Sequence, residues 1–372
     1  MDDELVYKIA LSMTKNVSPQ LVRVLPDCGV TAEDFFTLGM GELSLRMERI
    51  TDSFRFPDMD RQEALFRARE EAKFVKRHGI SVYSLLDEDY PMLLREIPDA
   101  PVAIYKLGDA DLDVEHFISI VGTRKPTVYG MEFCQKFTAD LGAYFPDLVV
   151  ASGLAFGIDS AAHKAALDNN LTTVAVVAHG LDMIYPAPNR DLARRILKSG
   201  GALISEYPSG TTPFAARFLE RNRIVAGLSP LTVVVESPIK GGAMSTANLA
   251  FSYDREVMAL PGRISDVNSA GTNLLIRREK AHLLTSAADV IEMMDWRPLG
   301  VKVTPRQRNL FPELEGSARK ICEILKFRNE PITIDTLHTL SQLPVPEIMS
   351  TLVELEFDGI IHRFPGNRYG MA

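Results

Sequence analysis

The sequence predicts an α/β protein: a Rossmann-like, doubly wound, mostly parallel sheet, preceded by a small helical domain and followed by a winged helix. Three observations carry this. Short apolar, β-branched runs recur through the middle of the chain, with helical patterns between most of them. Three glycine-bearing loops each follow such a run and lead into a helix. The last residues read as three short helices and a hairpin. Strands that are apolar on both faces and alternate with helices require a parallel sheet covered on both sides.

Taken in order, residues 1–79 hold short helical patterns that end in DRQEALFRAREEAKFVKRHG. Ala64, Leu65, Ala68, Ala72, Phe74 and Val75 make one apolar face there, and Gly79 is placed to stop the helix. Residues 80–295 form the Rossmann-like domain. Its strands are expected at FISIV (117–121), LVVAS (148–152), TVAVVA (173–178), ALIS (202–205), LTVVVE (231–236) and EVMALP (256–261). Residues 296–316 contain Pro and Arg without periodicity and read as a linker. Residues 317–372 carry SARKICEILKF, IDTLHTLSQ and VPEIMSTLVELEFDG, then a hairpin turning at Pro365, Gly366 and Asn367. That is the winged-helix pattern.

Composition bounds the function. A chain of 372 residues that is 46% hydrophobic and 24% charged is an ordinary globular protein. Its net charge of −8 argues against a surface coated in positive charge, but leaves room for a local basic cleft. No apolar run approaches the roughly 18 residues of a membrane span. MDDELVYKIALS has no basic region before a long apolar stretch, so no secretory signal is expected. Cys28, Cys134 and Cys322 form no CxxC pair and read as buried thiols of a reducing compartment. The expected location is the cytoplasm, with no membrane partner.

The loops are where chemistry is expected. VGTRKPTVYG (121–130), ASGLAFGIDSAAH (151–163) and SPIKGGAMSTANLA (237–250) must emerge together, because in a parallel sheet all strand-to-helix loops share the carboxyl edge. Glycine lets backbone approach a ligand, and helix N-termini offer unpaired N–H groups to an anion. Neither GxGxxG nor GxxxxGK[ST] is present, so bound NAD and hydrolysed ATP are disfavoured and no cofactor is expected.

RFLERNRIVAG (217–227) adds local positive charge. On a helix, Arg217 and Arg221 share one face, with Phe218 and Asn222 beside them. Arg124 in GTR supplies another cation at the same sheet edge. The alternative is that Arg217, Arg221 and Arg223 simply pair with Glu206, Glu220 and other acids on a solvated face. Asp159 and His163 lie four apart at a helix start, but Asp159 is read as a cap and His163 lacks a metal-spaced partner. Ser152 is not in a GxSxG elbow.

The ordered motifs VGTR…YG, SGLAFGIDSAAH, GLDMIYPAPN, ISEYPSG, FLERNRIVAGLS, GGAMSTANLA and ALPGRI…SAGTNLLI resemble the DNA-processing protein A (DprA/Smf) family over roughly residues 90–289. The C-terminal segment resembles the winged helix that many members append. The resemblance implies a homodimer that binds single-stranded DNA, loads the RecA recombinase onto it and protects incoming DNA during natural transformation, without catalytic turnover. Single-strand-binding protein is a further candidate partner. The implied groove uses Arg124; Ser152 and Gly153; Phe218, Arg221, Asn222 and Arg223; and Ser245 and Thr246. Arginines and helix-end amides would hold phosphates while Phe218 stacks a base, at about 1–3 kcal/mol. Binding of that kind tolerates sequence and depends on salt.

Departures from the family pattern are also visible. Phe156 stands where arginine is usual, GGAMST replaces SGSLxT, and Lys280 stands where glycine is common. KNVSPQ lacks the glycine hairpin of a phosphate-holding helical domain, so residues 1–79, which resemble a SAM or helix-hairpin-helix domain only loosely, are expected to serve packing or adaptor roles. Leu274, Leu275, Ile276, Leu284 and Val290 are dimer candidates by resemblance, or else core. Helix 345–358 carries Glu347, Glu354, Glu356 and Asp358 and no Lys or Arg, which suits a protein contact better than a duplex. Arg363 and Arg368 on the wing leave a small opening for nucleic acid. Two other readings stand beside this one. A nucleotide-cleaving enzyme of the nucleoside-monophosphate phosphoribohydrolase type would share the glycines and Thr246, yet Asn248 and Ala250 stand where its glutamate should be. A winged-helix transcription regulator would need the basic helix that is missing.

Overall fold

The computed structural model describes residues 3–47, 60–297, 316–328, 331–357, 360–364 and 368–371. The chain divides into two compact units, Met1–Leu299 and Gly300–Ala372. The first begins with helices Asp3–Met13, Pro19–Val24, Ala32–Thr37, Met40–Met47 and Arg61–His78. Local chemistry sets their ends. Ser18 accepts from the Leu21 N–H at 3.2 Å just before Pro19, and Thr31 with Asp34 forms a capping box. Gly79 ends the last helix at φ 64, a left-handed value that costs glycine no Cβ clash. These helices close around Ile9, Leu11, Phe35, Leu43 and Ala68, and Tyr105 of the sheet joins the same core. Polar ties complete the join: Arg23 donates to the Ile97 carbonyl at 2.9 Å, and Glu71 accepts the Ser209 N–H at 2.9 Å.

The sheet consists of β1 (Ser81–Ser84), β2 (Ala103–Gly108), β3 (Phe117–Val121), β4 (Val149–Ser152), β5 (Thr172–Val176), β6 (Ala202–Ser205), β7 (Leu231–Val234), β8 (Glu256–Ala259) and β9 (His282–Leu283). They lie in the order β1-β2-β6-β5-β4-β3-β7-β8-β9. From β6 to β9 the pairing is parallel, and β1 and β2 extend one edge antiparallel. Each central strand is buried on both faces. In β3, Phe117 and Val121 enter one core while Ile118 and Ile120 enter the other. Each such side chain is worth about 1.5–3 kcal/mol when withdrawn from water. β3 has β4 on one side and β7 on the other, so the winding reverses at β3. The loops after β3, β4 and β7 therefore flank the crevice of the reversal.

Among the dimer candidates, Leu275, Leu284 and Val290 are 2%, 0% and 0% exposed and belong to the chain's own cores. Leu274 and Ile276 are half-buried.

The second unit has helices Gly316–Arg328, Ile334–Ser341 and Val345–Phe357, with strands β10 (Ile332–Thr333), β11 (Ile361–Phe364) and β12 (Arg368–Met371). The strands pair antiparallel in the order β10-β12-β11, which is a winged helix. Residues 298–315 of the expected linker, Asp358 and the hairpin tip 365–367 lie outside the described residues.

Candidate nucleic-acid interface

At the switch point lies an open cleft of about 960 Å³. Loop 122–127 forms one wall. The Thr123 N–H donates to the Glu236 carbonyl at 2.7 Å. The buried Glu236 carboxylate in turn accepts the Thr127 N–H at 2.8 Å and its hydroxyl at 2.5 Å. Pinned at both ends, the loop projects Arg124 and Lys125 into solvent. Neither cation makes an ion pair among the described residues, although the charge of Arg124 acts on the buried Asp159. The Arg124 guanidinium lies 5.5 Å from the centre of the Phe218 ring, and Tyr185 lies 5.7 Å from the same ring.

The second wall is helix Ala215–Gly227 and the turn before it. Pro213, Phe214, Phe218, Leu219, Arg221 and Asn222 line the cleft here. Phe214 and Leu219 are 64% and 59% exposed, an unusual display of apolar surface on a soluble face. Helix Gly242–Ser252 supplies the third wall. No side chain caps its N-terminus at Gly241 or that of Ala215–Gly227 at Phe214, so their first amides are open to an anion.

The floor is charged and closed. Arg221 is 4% exposed, and its Nη1 donates to the Gly153 carbonyl at 2.7 Å and to the Val176 carbonyl. Asp159 sits beside it, 7% exposed. Burial raises the Asp159 carboxyl above its usual range against the pull of Arg221, and burial lowers the Arg221 guanidinium against the pull of Asp159. Each charge is thus incompletely compensated. Gly153 is required between them: a Cβ there would lie 2.5 Å from Arg221 Nη2 and 2.6 Å from Asp159 Oδ2.

Of the nine expected groove residues, Arg124, Gly153, Phe218, Arg221, Asn222 and Thr246 line the cleft. Ser152, Arg223 and Ser245 do not. Ser152 is fully buried and donates to the Ile120 carbonyl at 2.6 Å. Arg223 lies on the opposite side of its helix, with its guanidinium on Glu206 at 2.5 and 2.8 Å and on the Asp99 carbonyl at 2.7 Å. It therefore follows the ion-pair alternative. Arg217 donates to the Thr212 carbonyl and covers the Tyr207 ring. Asp159 is not the cap of its helix; Gly157, at φ 79, is. His163 turns away into the core, where Nδ1 meets the Thr173 hydroxyl at 2.7 Å. That hydroxyl donates to the Val150 carbonyl, so His163 is the donor. Burial pushes it down to about 3, and it stays neutral. Lys125, Tyr185, Phe214 and Asn268 were not anticipated as cleft residues.

Fold and cleft define a Rossmann-type protein with a cationic, aromatic-lined cleft at its switch point and an appended winged helix. Two family models match it: DNA recombination-mediator protein A over residues 81–295 and the DprA winged helix domain over residues 306–367. The chain belongs to the DNA recombination-mediator protein A family. It is 35% identical over 280 residues to Protein Smf of Escherichia coli, covering 75% of this chain and 74% of that one. It is 40% identical over 209 residues to DNA processing protein DprA of Streptococcus pneumoniae, covering 56% and 72%. The solved S. pneumoniae DprA structure matches at TM-score 0.63 with 31% identity, over 80% of this chain and 99% of that one. DNA processing protein A from Helicobacter pylori, a structure concerned with that protein's single-stranded DNA binding mode, matches at TM-score 0.52 with 30% identity, over 59% and 97%.

Proposed function

We propose that this chain binds single-stranded DNA in the switch-point cleft and acts as a mediator. In that role it protects incoming strands during natural transformation and loads the RecA recombinase onto them, as a homodimer that also meets single-strand-binding protein. One observation carries the binding reading. Arg124 and Lys125, exposed and in no ion pair among the described residues, line one open cleft with Phe214, Phe218 and Tyr185, and Arg124 lies over the Phe218 ring. Cations for phosphate beside exposed rings for bases are what a sequence-tolerant single-strand site needs. The H. pylori relative's single-strand binding supports the same reading.

The acids support a binding role rather than turnover. Asp159 is the one carboxylate among the described cleft-lining residues, and the nearby charge of Arg221 acts on it. Asn248, near the position of a phosphoribohydrolase glutamate, is exposed and accepts from Lys280 at 2.8 Å. No second carboxylate stands beside Asp159 among the described lining residues, as a carboxylate pair for cleavage would require.

The test compares oligo-dT with duplex of equal length over a salt series. Wild type binds oligo-dT more tightly, with log affinity falling by about 0.7 per phosphate contact for each tenfold rise in salt. Arg124→Glu removes that binding while melting like wild type. Equal affinity for both DNA forms, or an unaffected Arg124→Glu, defeats the reading. RecA filament growth on strands coated with single-strand-binding protein, with and without this chain, tests the loading step.

A further inference from the structure

We propose that the bound strand continues out of the cleft past Asn268 onto a second hollow, where Arg263 holds a phosphate and Tyr129 carries a base. This rests on the cleft being the single-strand site. The second hollow, about 760 Å³, is lined by Tyr129, Val128, Arg263 and Asp266 together with neighbouring backbone. It is built from the same two segments that bound the cleft. Loop 122–127 runs from Arg124 and Lys125 in the cleft to Thr127 in the hollow, and segment 261–268 runs from Arg263 in the hollow to Asn268 in the cleft. The Asn268 amide donates to the Lys125 carbonyl at 2.8 Å and fastens the two segments together between the hollows.

The surface is fixed in shape. The Asn273 side chain holds Gly262 from both sides, accepting its N–H at 3.1 Å and donating to its carbonyl at 3.0 Å. The Ser237 N–H donates to the Asn268 carbonyl at 2.7 Å. Tyr129, 48% exposed, donates its hydroxyl to the Pro261 carbonyl at 2.9 Å, which sets the ring across the hollow. Arg263 is exposed and has no acidic partner among the described residues, although Asp266 shares the lining. Val128, Ile264 and Val267 are 72%, 99% and 74% exposed. A cation and a ring lining one hollow repeat, at a smaller scale, the presence of Arg124 and Phe218 in the cleft. Unstacked bases are the ligand class that uses both rings and cations.

The experiment uses the full chain and labelled oligo-dT of about 6 and about 25 nucleotides, one near the short end of ordinary single-strand site sizes and one beyond their long end. Arg263→Glu should leave the short strand unaffected and weaken the long one by about tenfold or more. Arg263→Ala should lower the long strand's salt slope by about 0.7. Asp266→Asn, which removes a repelling carboxylate from the same hollow, should tighten the long strand alone. Equal effects of Arg263→Glu on both lengths, or none on the long strand, overturn the proposal. So does a hollow that binds a protein partner while the long strand's affinity stays unchanged. Arg124→Glu run in parallel separates the failures, because binding that survives it defeats the cleft reading instead.

Discussion

Arg221 offers the sharpest test, because its burial assigns it a different role from the exposed cations. Replacing it by alanine strands two buried carbonyls, Gly153 and Val176, and removes the stronger of the two positive charges that act on Asp159, Arg124 being the other. Hydrogen bonds from a charged donor are worth about 1.5–3 kcal/mol each. With roughly 4 kcal/mol lost, and about 2 °C per kcal/mol for a folding unit this large, Tm should fall by roughly 8 °C. Adding Asp159→Asn removes the stranded charge and should recover about half. Thermal melting followed by circular dichroism, with oligo-dT anisotropy below the transition, reads both consequences. A variant that melts within about 1 °C of wild type yet loses oligo-dT would show that Arg221 is a plain ligand contact, refuting the scaffold argument. Failure of Asp159→Asn to recover any stability would refute the coupling.

The remaining expectations are independent of that pair. Phe218→Ala should weaken oligo-dT by about 1–3 kcal/mol while leaving the salt slope unchanged, since stacking releases no counterions; a reduced slope would mean that Arg124 has moved with the ring. Gly157→Ala places a Cβ 2.3 Å from the Thr123 carbonyl oxygen at φ 79, so it should lower both Tm and oligo-dT affinity; a neutral outcome contradicts the loop packing. His163, held at about 3 against an ordinary 6.5, contributes stability that is full above 6.5 and is lost as pH falls through that window. The slope is at most about 1.4 kcal/mol per pH unit. Urea midpoints of His163→Gln should therefore depend less on acidity than those of wild type, and identical profiles would exclude a neutral buried imidazole.

The central strands were legible because they are apolar on both faces, a pattern only a covered parallel sheet produces. β1, β2 and β9 were missed because SVYS is short and polar, Lys106 and Gly108 interrupt AIYKLG, and β9 has two residues. Within the site, sequence order misled at Arg223. Residues 221 and 223 are two apart on a helix and cannot share a face, so one arginine had to leave the cleft. That signal was available. Burial of Arg221 and Ser152 was not, because it depends on β4 and β5 packing against a helix far away in the chain. Tyr185 and Phe214 reach the cleft by tertiary folding alone, but Lys125 stands next to Arg124 and adjacency could have found it.

On the proposed single-strand reading, an acidic chain with a basic cleft divides the work of capture between its cations. Exposed charges act over a Debye length of about 8 Å at physiological salt, so Arg124 and Lys125 attract a strand mainly at short range against a repelling surface. Arg221 acts differently. Its desolvation is settled when the protein folds, and Asp159 compensates it only in part, so it presents a fixed field to a phosphate without any side chain having to reorganise. The rings at Phe214, Phe218 and Tyr185 supply a contribution that salt does not screen. Raising the salt should therefore remove the contribution of the exposed cations first and leave a residue of binding that depends on the aromatic group and on the buried arginine behind it.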